Sequence, residues 1–205
     1  MVKMSLRILL IRHGETVWNS EGRCQGFSDI QLNAAGLEQA AALARALRGT
    51  RLDAIYSSDL ARARKTADLI AESHKLPIQT DARLRELNQG KLEGKKLNDL
   101  LTDYPELLRE WMARPADVVM PGGESMQSVQ QRAWAAISDV AGLHDRGLVA
   151  VVSHNLAILS IVCKAIELDL DKFRKLRLKN ASITELEFAH HGAVLVRIND
   201  AHHLS

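Results

Sequence analysis

Apolar residues form several short, nearly continuous runs along the chain, separated by longer segments with polar positions. Residues 6–11 are apolar almost throughout, which is typical of a strand covered on both faces of a sheet. Similar runs recur later in the sequence. The strands predicted in this way are residues 6–11, 52–56, 148–152, 183–188 and 193–198, the last two around His191 and Gly192.

Between these runs the apolar positions recur at helical spacing. One predicted helix covers residues 37–47 and stops near Gly49. The second has Ser57 and Ser58 as its cap and ends before Pro77. The buried positions of this second helix are Leu60, Ala63, Ala67 and Ile70. A long amphipathic helix follows later, with buried positions Val129, Ala133, Ala136, Ile137 and Val140. The last predicted helix, residues 156–166, is apolar throughout most of its length and is expected to be buried.

Strands that alternate with helices predict an α/β fold: a three-layer, open, mostly parallel sheet with helices on both faces. Residues 81–123 break the pattern, because they are polar and contain several glycines and prolines. We expect them to form a small lid or subdomain with helical pieces near Leu97 and Leu107. The chain of 205 residues, 46% of them hydrophobic, then suits a single domain over residues 1–205.

Charge and cysteine usage narrow the classes of function. The formal net charge is +2, so no global field favours nucleic acid or an anionic membrane as a partner. Cys24 and Cys163 lie far apart without metal-type spacing, which suits a reducing compartment. The apolar run at the N-terminus is too short for a signal peptide or a membrane span. We therefore expect a cytoplasmic protein whose anionic ligand is held by a local site.

Two predicted strands each end on a histidine, His13 and His154. Ligands of such sheets bind at the carboxyl ends of the strands, so the two side chains should meet there. Arg12 and Gly14 flank His13, which places a guanidinium and a backbone without a side chain beside an imidazole. Arg62 should emerge in the first turn of the helix after the second strand. Asn155 begins the helix after His154, where free N–H groups favour an anion. Together these groups predict a phosphoryl site.

The sequence supports neither a nucleotide-binding loop nor a metal site for the phosphate chemistry. There is no P-loop pattern and no carboxylate cluster suited to magnesium, so we expect neither a metal nor another cofactor. The pairs His190-His191 and His202-His203 point apart if they lie on strands, and surface or structural roles are expected for them. Metal-free covalent catalysis remains, in which an imidazole attacks phosphorus and water cleaves the phosphohistidine.

Longer motifs resemble those of the histidine phosphatase superfamily, also called the phosphoglycerate mutase-like family, over nearly the whole chain. The matching segments are Arg12-His13-Gly14-Glu15-Thr16 with Trp18-Asn19; Gln25-Gly26 with Asp29, Leu32 and Gly36; Ser57-Ser58-Asp59-Leu60-Ala61-Arg62-Ala63 with Thr66-Ala67; Leu84-Arg85-Glu86-Leu87-Asn88-Gln89-Gly90 with Leu92-Glu93-Gly94; Pro121-Gly122-Gly123-Glu124-Ser125; and Val151-Val152-Ser153-His154.

The resemblance implies a role for each matching residue. His13 would accept the phosphoryl group, and Glu86 would protonate the leaving oxygen, with Glu93 as the rival for this acid role. The residues implied to hold phosphoryl oxygens or substrate are Arg12, Arg62, His154, Asn19, Gln25, Gly26 and Asn155, the last through its backbone. Two positions depart from the family pattern: Asn155 stands where glycine is common, and Leu92 where tryptophan is frequent.

Three functions can be compared with these residues: a phosphatase, a mutase and a non-enzymatic binding module. A phosphatase and a cofactor-dependent phosphoglycerate mutase share the same catalytic set, but the mutases have a longer insertion after the acid and continue Glu-Arg-His-Tyr where this chain has Glu86-Leu87-Asn88-Gln89. A non-enzymatic phosphoprotein-binding module would have lost a catalytic residue, and none is lost. We therefore expect a phosphatase, a phosphoric monoester hydrolase of the histidine acid type.

The physiological substrate is left open by the sequence. Phosphoserine, 3-phosphoglycerate, a sugar phosphate and α-ribazole phosphate all fit the resemblance, with Gln25 and residues 87–115 expected to select among them. The partner is thus a small phosphorylated metabolite, and a homodimer is compatible with the sequence.

Overall fold

The computed structural model describes residues 5–189 and 192–205. Its centre is one six-stranded sheet made of β1 (Leu6–Arg12), β2 (Ala54–Ser57), β3 (Ile78–Thr80), β4 (Gly147–Ser153), β5 (Ile183–Ala189) and β6 (Gly192–Asp200). The strand order is β3-β2-β4-β1-β5-β6. The first four of these strands are parallel to one another, whereas β5 is antiparallel to both of its neighbours, β1 and β6. The predicted open, mostly parallel sheet is confirmed. The short strand β3 was not predicted, because only three residues form it.

Helices cover both faces of the sheet. They are α1 (Val17–Ser20), α2 (Ala34–Leu47), α3 (Ala61–His74), α4 (Leu97–Asp103), α5 (Pro105–Ala113), α6 (Met126–Leu143) and α7 (Asn155–Ala165). Short 3₁₀ turns lie at Ala82–Leu84, Gly90–Leu92, Leu170–Lys175 and His202–Leu204.

Alternate residues of β1 show how the three layers form. Ile8 and Leu10 belong to a buried cluster with α6 and α7, whereas Leu9 and Ile11 belong to another with α2 and α3. All four side chains are at most 1% exposed. A strand segment that is buried on both faces is apolar at successive positions, which is why residues 8–11 are all apolar, whereas Arg7 near the start of the strand is exposed.

The predicted cap of α3 was wrong. The helix begins at Ala61 after Leu60, whose side chain forms no cap, and the N–H of Ala61 donates to Asp29 Oδ1 over 2.7 Å. Ser57 Oγ donates instead to the carbonyl of Ser58, and Ser58 Oγ contacts the imidazole of His154. The two serine side chains therefore serve the loop and the strand edge rather than the helix.

The segment 81–123 contains α4, α5 and two 3₁₀ turns, as the sequence pattern predicted for a helical insertion. Its apolar side chains join the same buried cluster that α6 and α7 form with the sheet; these are Leu84, Leu87, Leu92, Leu100 and Met120. In the described part of the chain, no helix is long and apolar enough to cross a membrane.

Candidate active site

The sheet topology brings the two strand-end histidines together. β4 lies between β1 and β2, with Arg12 opposite Ser153. The next residues, His13 and His154, therefore project from one edge, and their ring centroids are 5.0 Å apart. Both are nearly or fully buried, and they lie at the carboxyl ends of the strands, the edge where the sequence predicted the two side chains.

His13 is held in one orientation by its own loop. Its Nδ1 lies 2.6 Å from the carbonyl oxygen of Gly14, and because a carbonyl only accepts, Nδ1 donates the proton. The lone pair of the neutral ring is then on Nε2. Burial, followed by the charges of Arg62 and Arg12, holds the pKa of His13 well below its ordinary value. A neutral imidazole with a free Nε2 is the form that can attack phosphorus.

His154 is held from the opposite side of the site. Its Nε2 lies 2.8 Å from Ser58 Oγ, and its buried Nδ1 has no partner among the described residues. Burial is the main cause that holds its pKa well below the ordinary value, with Arg62 the next. When Ser58 donates to Nε2, the ring proton sits on Nδ1 and is available to an acceptor.

Two arginines point their remaining donors into the same region. Arg62 is 0% exposed, and its Nη1 and Nη2 donate to the carbonyls of Ser28 and Gly26, each over 2.8 Å. Arg12 Nη1 donates to the carbonyl of Leu178 over 2.6 Å. Burial lowers the pKa of Arg62 to about 10, and it also lowers the pKa of Arg12. Both side chains stay cationic at neutral pH.

Unsatisfied donors mark the centre of the site. Nε of Arg12 and Nε of Arg62 are buried without a hydrogen-bond partner in the described part of the chain, as is Nδ1 of His154. Buried polar atoms without partners are rare in folded proteins because each costs free energy. All three belong to residues close to His13, since the two arginine charges act on its pKa and the His154 ring is 5.0 Å away, and such donors suit the oxygens of a phosphoryl group.

Glu86 reaches this site from the first part of residues 81–123. Its carboxylate accepts hydrogen bonds from the backbone N–H groups of Leu87, Leu156 and Ala157 at 2.9 to 3.3 Å. Leu156 and Ala157 are in the first turn of α7, so the carboxylate occupies part of the helix N-terminus that we had predicted for an anion. Asn155, the first residue of α7, still lines the cavity.

The other predicted contacts also line the cavity, whose volume is about 400 Å³. Asn19 Oδ1 accepts from Thr16 N and from Asn180, which leaves its amide nitrogen for a ligand. Gln25 is 6% exposed and bonds Thr16. Gly26 has a φ of 52°, and an added Cβ would lie 2.1 Å from Glu93 Oε1, so glycine is required there.

Comparisons with known proteins agree with this geometry. Residues 8–201 match the family model of the histidine phosphatase superfamily (branch 1). The chain belongs to this superfamily. Phosphoserine phosphatase 1 of Hydrogenobacter thermophilus is 35% identical over 97% of this chain and 94% of its own length. A probable phosphoglycerate mutase GpmB of Salmonella choleraesuis is 37% identical over 89% and 85%. The solved structure of YhfR from Bacillus stearothermophilus has a TM-score of 0.93 and 29% identity, and covers 98% of this chain and all of its own.

The chain is thus a histidine phosphatase, as its sequence motifs predicted. The mutase alternative is less well supported. The phosphoserine phosphatase matches 97% of this chain and 94% of its own length, whereas the probable mutase matches 89% and 85%.

Glu86 and Glu93, the two candidates for the acid role in this histidine phosphatase, have different surroundings in the structure. Glu93 accepts from the N–H groups of Phe27 and Ser28 at 2.7 and 2.8 Å and from Ser28 Oγ. It therefore fixes the loop whose carbonyls hold Arg62. Glu86, and not Glu93, lines the cavity with His13. Leu92, at the position where tryptophan is frequent, is 3% exposed and lines the same cavity.

Two groups of residues in this histidine phosphatase were missed from the sequence. Arg132 donates to the carbonyls of Arg83, Arg85 and Glu86 at 2.7 to 2.8 Å and pairs with Glu124, so it fixes the segment that presents the acid. Glu124 belongs to a recognised motif, which could have drawn attention to it. The second group is the far wall of the cavity, which includes Trp111 and Arg174. Trp111 lies within residues 87–115, which were expected to select the substrate, but no sequence signal indicated Arg174.

Of the two histidine pairs near the C-terminus, one lies outside the described residues and the other does not line this cavity. His190 and His191 are outside the described residues. His202 and His203 lie in a 3₁₀ turn rather than on a strand; His202 is exposed, and His203 Nε2 contacts the carbonyl of Ala181 at 3.1 Å. Within residues 5–189 and 192–205, no group of three or more histidine, cysteine, aspartate or glutamate side chains is arranged to hold a metal ion.

Proposed function

We propose that this histidine phosphatase hydrolyses a small phosphomonoester without a metal ion, through a phosphohistidine on Nε2 of His13. The observation that supports this most directly is the arrangement around His13: its Nδ1 proton is anchored on a carbonyl, and the neighbouring Arg12, Arg62 and His154 each have a buried ring or guanidinium nitrogen without a partner among the described residues.

In the first step Nε2 attacks phosphorus, the N–P bond forms, and the P–O bond to the substrate alcohol breaks. Arg12, Arg62 and His154 stabilise the negative charge on the phosphoryl oxygens. Their buried positions strengthen this interaction, because the low local dielectric screens it less than water does.

Glu86 supplies the proton to the leaving oxygen, which makes the enzyme a phosphoric monoester hydrolase of the histidine acid type. In the second step water attacks the phosphohistidine, and the Glu86 carboxylate takes the proton from that water. The N–P bond breaks, the electron pair returns to Nε2, and inorganic phosphate leaves. Both enzyme groups are then back in their starting forms.

We also propose that residues 1–205 act as one domain, with residues 81–123 as the lid of the site, and that the protein works in the cytoplasm. The free thiols of Cys24 and Cys163 support a reducing compartment. The sequence is also compatible with a homodimer, which light scattering on the purified protein tests.

Rapid quench with a substrate labelled on phosphorus tests the mechanism. We expect an adduct that is labile in acid and stable in base, absent from His13→Ala and retained in His202→Ala, where the replaced histidine is exposed. An adduct that persists in His13→Ala would show that another residue is the nucleophile.

A further inference from the structure

The cavity extends from the catalytic groups to a fixed arginine on its far wall. The guanidinium of Arg174 lies 4.9 Å from the ring centroid of Phe173 and 5.3 Å from that of Trp111. Its Nη2 donates to the carbonyl of Trp111 over 2.8 Å. Two aromatic faces and one backbone oxygen thus hold this cation in place without a carboxylate.

Arg174 has no carboxylate partner, a property that it shares with Arg12 and Arg62 among the described cations near the site. Arg23, which also lines the cavity, pairs with Glu21, whereas Arg174 forms no ion pair within the described ranges 5–189 and 192–205. Burial lowers the pKa of Arg174, and Asp171 partly offsets this effect. A partly desolvated guanidinium without an anionic partner is costly unless a ligand supplies one.

The surroundings of Arg174 favour an anion over a neutral group. Glu86 is the one carboxylate among the described residues that line the cavity. A neighbouring cavity of about 530 Å³ is also lined by Arg12 and Arg174, and in addition by Arg177 and Lys179. No carboxylate is among the described residues that line this second cavity. The region beyond the phosphoryl site is therefore positively charged. Apolar walls at Leu107 and Met120 keep the charge poorly screened.

We infer that Arg174 binds a carboxylate of the substrate, so that the natural substrate is a phosphomonoester of a small hydroxy acid. This inference rests on the proposed function, because it places the phosphoryl group at His13 and the carboxylate at the far wall of the same cavity. Nε and Nη1 of Arg174 donate to no described residue, and a guanidinium edge matches the two oxygens of a carboxylate. Arg174 is then a specificity-determining residue.

Matched substrate pairs test the inference. O-phosphoserine has a carboxylate where O-phosphoethanolamine has a hydrogen atom, and 3-phosphoglycerate has a carboxylate where glycerol 3-phosphate has a neutral hydroxymethyl group. The leaving group in each pair is a primary alcohol. We expect kcat/KM to favour the carboxylate member by about 10- to 100-fold, the range of a charge-assisted hydrogen bond. Arg174→Gln should bring both ratios close to one.

Two further variants separate substrate binding from a change in the lid. Arg109→Gln makes the same substitution on the exposed face of α5, where Arg109 pairs with Glu106, and it should keep the wild-type ratios. Arg174→Lys keeps the charge but loses the planar guanidinium, and it should give intermediate ratios. In the wild-type enzyme, glycerate should inhibit p-nitrophenyl phosphate hydrolysis more strongly than glycerol does, which requires no variant to fold.

Wild-type ratios near one, or ratios that survive Arg174→Gln, would overturn the assignment of Arg174. A preference for n-pentyl phosphate over 3-phosphoglycerate would also overturn it, since the apolar wall would then select the substrate. Failure of the proposed function gives a different result: none of these phosphomonoesters is hydrolysed and no phosphohistidine forms.

Discussion

The two buried histidines should make the stability of the enzyme fall when the pH is lowered from 7.5 to 5.5. Burial, with help from nearby arginines, lowers the pKa of both His13 and His154 well below 6.5. The unfolded chain binds these two protons near pH 6.5, whereas the folded chain does not until a much lower pH. The unfolded state then binds more protons in this window, so the free energy of unfolding decreases as the pH falls.

The size of the effect follows from this linkage. At one pH unit below the unfolded pKa, each histidine lowers the free energy of unfolding by about 1.4 kcal/mol. The pair together gives a loss of about 3 kcal/mol, which for a chain of this length corresponds to a decrease in Tm of about 6–11 °C. His74 and His203 are less buried and also have a lowered pKa, so they add a smaller loss in the same direction.

Urea unfolding followed by circular dichroism at pH 7.5, 6.5 and 5.5 measures this loss directly. His154→Gln cannot titrate, so we expect it to show about half of the wild-type loss between the two end points. His202→Gln replaces an exposed histidine and should show all of it. A free energy of unfolding that stays constant down to pH 5.5 would refute the reasoning. An undiminished loss in His13→Gln/His154→Gln would do the same.

Three further predictions concern the catalytic machinery. Glu86→Gln should slow an alkyl phosphate by about 10²- to 10⁴-fold but p-nitrophenyl phosphate much less, because only the alkyl oxygen needs the acid; the reverse pattern, with Glu93→Gln selective, would move the acid role to Glu93. Arg132→Gln should lower the free energy of unfolding by about 3–5 kcal/mol and show the same leaving-group selectivity, since Arg132 holds the carbonyl of Glu86; equal slowing of both substrates would limit Arg132 to a structural role. Hydrolysis should continue in excess EDTA, and a loss restored by added metal would contradict the metal-free mechanism.

The positions of His13, His154 and Arg62 could be predicted from the sequence, because each lies just after a strong apolar strand or in the first turn that follows one. The parallel order of the strands then brings them to one edge. The resemblance to a known family added Glu86, which the strand pattern alone does not indicate.

The contacts that fix the acid and the far wall could not be predicted in this way. Arg132 reaches three carbonyls of a segment far from it in sequence, and Arg174 lies between rings from α5 and the turn Leu170–Lys175. Such contacts depend on where side chains from separate elements end in space. The misplaced cap at Ser57 and Ser58 has the same origin, because His154 competes for the Ser58 hydroxyl.

The strand order has a consequence for biosynthesis. β1 pairs with β4 and β5 and not with β2, so once β1 has been made it has no sheet partner until Gly147–Ser153 has also been made. At ordinary translation rates this interval is on the order of ten seconds. During that time a largely apolar strand is exposed on the nascent chain, which is the kind of segment that chaperones bind. The nucleophile His13 follows β1 directly, but its phosphoryl site can be completed only after β4 and His154 have been made.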